Sequence, residues 1–128
     1  MIYLDSSVVL AHFLVETQRL PDRVWEQQLT SSRLLEYEVW TRLHLKDLST
    51  KLRPVVLSLF AKVAFVDLAD NVLARAREPF PLHVRTLDGL HLSTAEFLRT
   101  NGDFIELATF DTRMIAAARA MGIAIYAP

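Results

Sequence analysis

Four acidic residues occupy positions from which their side chains could meet and do chemistry together. Asp5 lies between the apolar runs 2–4 and 8–10, and Asp88 lies among leucines. Carboxylates embedded in apolar segments are costly unless they are paired or bound to a metal. The full set of candidates is Asp5, Glu38, Asp88 and Asp111.

Convergence of these four carboxylates would predict a cation at their centre. Two carboxylates about 4 Å apart repel each other by roughly 1 kcal/mol in water, and by several times more inside a protein. At neutral pH at least one of them would therefore keep a proton unless a cation were present. An all-oxygen site suits Mg²⁺ or Mn²⁺. Such an ion can activate water and stabilise a phosphodiester in reaction, so the set predicts metal-dependent hydrolysis of a phosphate ester.

Each acid also has a simpler explanation that the sequence leaves open. Asp5 could be the cap of a helix. Asp88 and Asp111 could complement a helix dipole, worth about 0.3–1 kcal/mol each. Glu38 could pair with Arg42 one turn further on, worth about 0.2–0.5 kcal/mol.

Strand-like runs alternate with helical runs along the whole chain, which predicts an α/β fold with a parallel sheet covered on both faces. In such folds, sites form outside the carboxyl ends of the strands. Asp5 and Asp111 follow predicted strands, Glu38 lies in the second turn of a helix, and Asp88 lies in the first turn of another. Predicted strands cover 2–4, 29–30, 63–66, 105–108 and 123–126, and predicted helices cover 8–14, 22–28, 34–48, a segment opened by Pro54, 70–76, 87–100 and 112–121.

Local residue types mark the ends of these predicted helices. Asp70 and Thr86 have the chemistry of N-terminal caps. Asn101 and Gly102 are expected to end the long helix before the fourth strand.

Composition narrows the class of protein. The chain has 128 residues, no cysteine and a formal net charge of −1, so we expect a single domain over residues 1–128 without disulfides. Its first residues lack early basic residues, unlike a signal peptide, and no apolar run is long enough for a membrane span. A cytoplasmic protein is the expectation, with any nucleic acid held by a local basic patch.

Four sequence blocks in order resemble the PIN-domain family, and most of all its stand-alone VapC-type bacterial toxins. The similarity extends over essentially the whole chain, including the Ala-rich last helix and final strand. The blocks are Leu4–Ser7, Ser32–Leu34 leading to Glu38, Arg85–Leu92, and Thr109–Arg113.

This resemblance implies a three-layer α/β/α sandwich and an endoribonuclease that depends on Mg²⁺ or Mn²⁺. The four acids match the family's metal-binding and catalytic positions. Ser6 and Thr109 match hydroxyl residues that support them, and Arg85 and Arg113 are candidate phosphate contacts. A cognate antitoxin and a homodimer are the partners that the family implies, besides the RNA substrate. Glu36 could exchange roles with Glu38, although only Glu38 keeps the usual spacing from Ser32.

Two other functions compete with this one. A receiver-type signalling module would also be α/β with an acidic Mg²⁺ pocket, and Asp67 could be its phosphate acceptor, but the late lysine that it needs is missing. A catalytically inactive PIN domain could serve only for binding. His91, one turn beyond Asp88, could support the metal site indirectly, although a core role is the simpler expectation.

Overall fold

Five short strands form one parallel sheet in this computed structural model, which describes residues 1–128. In chain order they are β1 (Ile2–Leu4), β2 (Leu29–Ser32), β3 (Val63–Val66), β4 (Glu106–Ala108) and β5 (Ala124–Ile125). Their order across the sheet is β3-β2-β1-β4-β5, and every neighbouring pair is parallel. The predicted parallel sheet is confirmed.

Six α-helices connect and cover the strands. They are α1 (Ser6–Phe13), α2 (Leu34–Leu45), α3 (Ser49–Phe60), α4 (Asp70–Ala76), α5 (Thr86–Thr100) and α6 (Thr112–Ala120). The segment predicted as a helix over 22–28 is a short 3-10 helix, Asp22–Glu26. None of the helices combines the length and apolar character that crossing a membrane would require.

The central strand shows how the sequence builds three layers. Successive side chains of a strand point to opposite faces, so Ile2 and Leu4 pack in one core and Tyr3 packs in the other. The first core includes Leu35, Val39 and Leu43 of α2, together with residues of α1 and α3. The second core contains residues of α5 and α6, among them Leu92 and Met114. The helices therefore lie on both faces of the sheet, which confirms the α/β/α sandwich.

The order of the strands creates a crevice at one edge of the sheet. The chain runs outward from β1 through β2 to β3, and then returns to the other side of β1 for β4 and β5. Such a reversal leaves a crevice at the carboxyl ends of the two strands where it occurs. Those strands are β1 and β4, and Asp5 and Asp111 follow them.

The helix start predicted at Pro54 and the two predicted caps, Asp70 and Thr86, are misplaced by one to five residues. Pro54 lies inside α3, which already begins at Ser49; the proline removes one backbone hydrogen bond, and burial of the apolar face of α3 compensates for it. Ala69 and Arg85 take the cap positions of α4 and α5, so Asp70 and Thr86 are first helical residues without capping bonds. The predicted end of α5 is confirmed, with Gly102 at a φ of 97°, where a residue without Cβ is favoured.

Candidate active site

A cavity of about 510 Å³ opens at the carboxyl edge of the sheet, beside the ends of β1 and β4. We call it the acidic cavity, because all four predicted carboxylates line it. Serine hydroxyls and two arginines contribute to the same wall. The lining residues used below are Asp5, Ser6, Ser7, Glu38, Arg42, Arg85, Asp88 and Asp111.

Asp5 is both a helix cap and part of the cavity wall. Its carboxylate accepts from the backbone N–H of Ser7 at 3.4 Å, which caps α1 as the simpler explanation predicted. The same oxygen accepts from Ser7 Oγ at 2.7 Å and from Thr109 Oγ1 at 2.8 Å. Only 4% of Asp5 is exposed. These hydroxyl donors hold a buried charge in one orientation at the cavity.

Asp88 and Asp111 are joined by one arginine. Arg85 donates from Nη2 to Asp111 at 2.8 Å and from Nε to Asp88 at 3.3 Å. Burial raises the pKa of Asp88, the negative charge of Asp5 raises it further, and Arg85 opposes both effects. Asp111 also caps α6 by accepting from the N–H of Arg113 at 2.9 Å. The cavity therefore holds more negative charge than its one bridging cation relieves.

Glu38 reaches the acidic cavity, whereas Glu36 does not. One Glu38 oxygen accepts from Ser6 Oγ at 3.4 Å, and the other lies 2.5 Å from His91 Nε2. Glu36 instead pairs with Arg33 at 2.9 Å on the exposed side of α2. The alternative pairing of Glu38 with Arg42 does not occur, although Arg42 lines the same cavity.

Two sequence expectations differ from the observed site. Arg113 is exposed and its side chain does not line the cavity; only its backbone N–H reaches the site, where it donates to Asp111, the cap of α6. Ser7 was not among the supporting residues, yet its hydroxyl bonds Asp5 and accepts from the N–H of Phe110 at 3.0 Å. Either serine of the pair after Asp5 could have filled this role, so the sequence offered no means of choosing between them.

The donor set fits a hard divalent cation, although it is not assembled around one. Carboxylate and hydroxyl oxygens are the ligands that Mg²⁺ and Mn²⁺ prefer. No three His, Asp or Glu side chains are grouped closely enough to hold a metal ion as they stand. Arg85 is the cation that now bridges two of the acids. Coordination by three or more of them therefore requires side-chain rotation.

The sheet order argues against the receiver-type alternative. A receiver has the strand order 2-1-3-4-5, whereas β3 lies at the edge of this sheet, next to β2. Asp67, its candidate phosphate acceptor, is exposed after this edge strand and pairs with Arg33 at 3.3 Å. It does not line the acidic cavity.

Comparison with known structures agrees with the observed architecture. The chain superposes on a chain described as "Toxin-antitoxin complex from Klebsiella pneumoniae" with a TM-score of 0.65. The match covers 94% of each chain at 18% sequence identity. At this identity the likeness shows a shared fold.

Comparison at the sequence level is more specific. Two relatives from Mycobacterium tuberculosis match over nearly their full length: "Ribonuclease VapC46" is 32% identical, covering 99% of this chain and 97% of the relative. "Ribonuclease VapC35" is 31% identical, covering 100% of this chain and 97% of the relative. The family model described as "PIN domain" matches residues 2–120. With a match of this extent and relatives of the same length, the chain belongs to the PIN-domain family.

Proposed function

We propose that this protein is a metal-dependent endoribonuclease and the toxin of a VapBC-like toxin–antitoxin pair. The observation that carries the proposal is the acidic cavity, where four carboxylates from separate parts of the chain line one space. The names of the full-length relatives, both ribonucleases of the VapC type, support the same activity.

The proposed cofactor is Mg²⁺ or Mn²⁺, held by Asp5, Glu38, Asp88 and Asp111. A bound divalent ion supplies an activated water and stabilises charge on a phosphodiester. Ser7 and Thr109 keep Asp5 oriented by donating to its oxygen. Ser6 donates to Glu38 and keeps its second oxygen at the cavity. The protein's own contribution is thus a fixed set of anionic oxygens.

RNA phosphates would be held by arginines around this cavity. Arg85 is 68% exposed on its side chain, so it can leave Asp88 and Asp111 for a phosphate when a metal neutralises them. Arg42 lines the cavity on the other side. Arg113, exposed at the start of α6, would contact more distant phosphates. A local patch is needed because the net charge of −1 gives no general attraction to RNA.

An antitoxin would bind the apolar groove that continues from the acidic cavity. This groove shares Ser6, Glu38 and Arg42 with the cavity and has a volume of about 300 Å³. Its other side chains include Tyr37 and Leu45, which are 65% and 79% exposed. Exposed apolar side chains beside a functional cavity suit a protein partner. We also propose a homodimer and a cytoplasmic location, which follow from the family resemblance.

The test is cleavage of RNA by the purified chain, freed of any antitoxin, with Mg²⁺ or Mn²⁺ added. We expect cleavage by the wild type, loss of cleavage on chelation, and loss in Glu38→Gln. Glu36→Gln is the matched control, because Glu36 lies on the same helix but faces Arg33 instead of the cavity. Equal activity of the two variants would contradict the proposed site.

Metal binding separates the enzyme from an inactive binding module. Mn²⁺ titration of the wild type should detect a site that Glu38→Gln weakens and Glu36→Gln leaves intact. A wild-type protein that neither binds Mn²⁺ nor cleaves RNA would instead be a PIN-fold binding module.

A further inference from the structure

A buried chain of hydrogen bonds leads from the centre of the sheet to the acidic cavity. The backbone N–H of Ser32 donates to the Tyr3 hydroxyl at 3.2 Å. That hydroxyl lies 2.8 Å from His91 Nδ1, and His91 Nε2 lies 2.5 Å from Glu38. Tyr3 and His91 are fully buried, while the Glu38 side chain is 14% exposed. Solvent therefore reaches only the cavity end of the chain.

The buried imidazole of His91 is held at both of its ring nitrogens. Nδ1 contacts the Tyr3 hydroxyl, whose oxygen also accepts from the backbone N–H of Ser32, and Nε2 contacts the Glu38 carboxylate. Burial raises the pKa of Tyr3 well above its usual range, so this hydroxyl stays protonated beside the ring. The orientation of the ring, and with it the position of Glu38, is therefore fixed from the interior of the sheet.

The chain also joins the two helical layers of the sandwich. Tyr3 packs in the core with α5 and α6, whereas α2, which carries Glu38, packs in the core on the opposite face. Glu38 is thus fixed from the far side of the sheet as well as by its own helix. Its oxygen toward His91 is occupied, which leaves the oxygen near Ser6 for the cavity.

We propose that Tyr3 and His91 are positioning residues that hold Glu38 in the acidic cavity through the hydrogen bonds of the buried imidazole. The inference deepens the proposed nuclease function, which it takes as given, but its central feature is a property of the metal-free protein. Neither residue lines the cavity, so neither contacts substrate.

The first test is ¹⁵N NMR of the metal-free, histidine-labelled protein. The chain has four histidines, and the His91 signals are identified by their absence from His91→Gln. We expect the ring-nitrogen signals of His91 to shift in Glu38→Gln and in Tyr3→Phe, which alter the two contacts of the ring, and to stay in place in Glu36→Gln. Unchanged His91 signals in both Glu38→Gln and Tyr3→Phe would overturn the proposal, whether or not the protein cleaves RNA.

The second test compares two amides that differ in reach. The Gln nitrogen in His91→Gln lies near the position of Nε2 and can still donate to Glu38, whereas the shorter side chain of His91→Asn reaches only toward Tyr3. We expect His91→Asn to weaken Mn²⁺ binding by about 10- to 100-fold, with a matching fall in kcat for RNA cleavage. His91→Gln should recover most of both, at an unchanged KM.

Thermal unfolding of both variants separates positioning from folding. Equal Mn²⁺ affinity in the two folded variants would overturn the proposal. If both variants unfold, the NMR comparison with Glu38→Gln and Glu36→Gln still decides it. If the wild type binds Mn²⁺ but cleaves no RNA, the proposed function fails while the Mn²⁺ affinities of the variants still report on positioning.

Discussion

Two cavities of this protein treat buried polar groups in opposite ways. The acidic cavity gathers four carboxylates, satisfies them with hydroxyl donors and Arg85, and raises the pKa of Asp88 through burial and neighbouring charge. A second cavity of about 330 Å³, the aromatic cavity, lies between α1, the 3-10 helix and α3. It is lined by residues that include His12, Phe13, Trp25 and Leu59.

The aromatic cavity carries less charge than the acidic cavity: Lys62 is its one charged lining residue, and it donates to the Trp25 carbonyl. The His12 ring lies 4.4 Å from the Trp25 ring, and burial lowers the pKa of His12. The buried Trp25 Nε1 has no hydrogen-bond partner. A cavity in which burial favours the neutral form of its histidine is typical of a region that stabilises the fold. A cavity in which like charges lie together despite their repulsion is typical of a ligand-binding site. The comparison therefore predicts that changes in the acidic cavity alter activity and changes in the aromatic cavity alter folding.

The largest expected effect is loss of cleavage in Asp111→Asn. Asn caps a helix about as well as Asp, so α6 should remain folded while one anionic oxygen is lost. We expect cleavage to fall about 100-fold or more, corresponding to several kcal/mol of lost metal-assisted stabilisation. Initial cleavage rates at saturating Mn²⁺ measure this. Trp25→Phe is the control from the aromatic cavity, and comparable losses in both variants would remove the distinction between the two regions.

Trp25→Ala should have the largest effect on stability. Removing this indole, which is 5% exposed, leaves a void beside an existing cavity and should cost about 3 kcal/mol of unfolding free energy. Urea unfolding followed by circular dichroism measures the change. The cleavage rate per folded molecule should stay at the wild-type level. An unchanged urea midpoint would show that the aromatic cavity contributes little to the core.

Arg85→Gln should strengthen metal binding while weakening RNA binding. The variant removes the cation that bridges Asp88 and Asp111 in the metal-free protein, so Mn²⁺ binds without having to break these two ion pairs. We expect a several-fold tighter Kd for Mn²⁺ by calorimetry and a higher KM for RNA.

The matched control for Arg85→Gln is Arg33→Gln. Arg33 bridges two acids, Glu36 and Asp67, outside the acidic cavity. An equal change in Mn²⁺ affinity in the two variants would show that general surface charge, and not the bridge itself, is responsible.

The smallest effects concern the pH dependence of stability, and their signs are opposite in the two cavities. His12 has a folded pKa below its usual 6.5. Its contribution to the free energy of unfolding is therefore complete above pH 6.5 and is lost as pH falls through the lowered folded value. Asp88 has a folded pKa above its usual 3.8, so its contribution to the free energy of unfolding of the metal-free protein is present below pH 3.8 and is lost as pH rises through the raised value.

Melting temperature against pH checks both signs. His12→Gln should flatten the fall in stability between pH 7 and 5, and Asp88→Asn should raise the melting temperature of the metal-free protein at neutral pH. We expect each effect to be below about 1 kcal/mol, because both groups are partly solvated. A steeper slope in His12→Gln would contradict the assignment of the buried, neutral histidine.

Much of this architecture could be predicted because it depends on local patterns. Alternating strands and helices indicated the parallel sheet, and the reversal of chain direction explains why acids after β1 and β4 share a crevice. Helix ends were less accurate, since a proline inside α3 and cap positions one residue earlier depend on tertiary packing that residue types alone do not reveal.

The finer features of the candidate site depend on contacts between distant parts of the chain. Glu36 and Glu38 are separated by the rotation of α2, which puts one toward Arg33 and the other toward His91. The Tyr3–His91 bond joins residues 88 positions apart, and no periodic pattern in the sequence predicts this contact. Arg113 was predicted from its nearness to Asp111 in sequence, but its side chain lies outside the cavity wall.

The bond between Thr109 and Asp5, which lie 104 positions apart, has a consequence during synthesis. A ribosome makes Asp5 long before Thr109 and Asp111, so a growing chain lacks the acidic cavity until residues 109–111 have been added. Chains that terminate before residue 109 would consequently lack one of the four carboxylates and cleave no RNA.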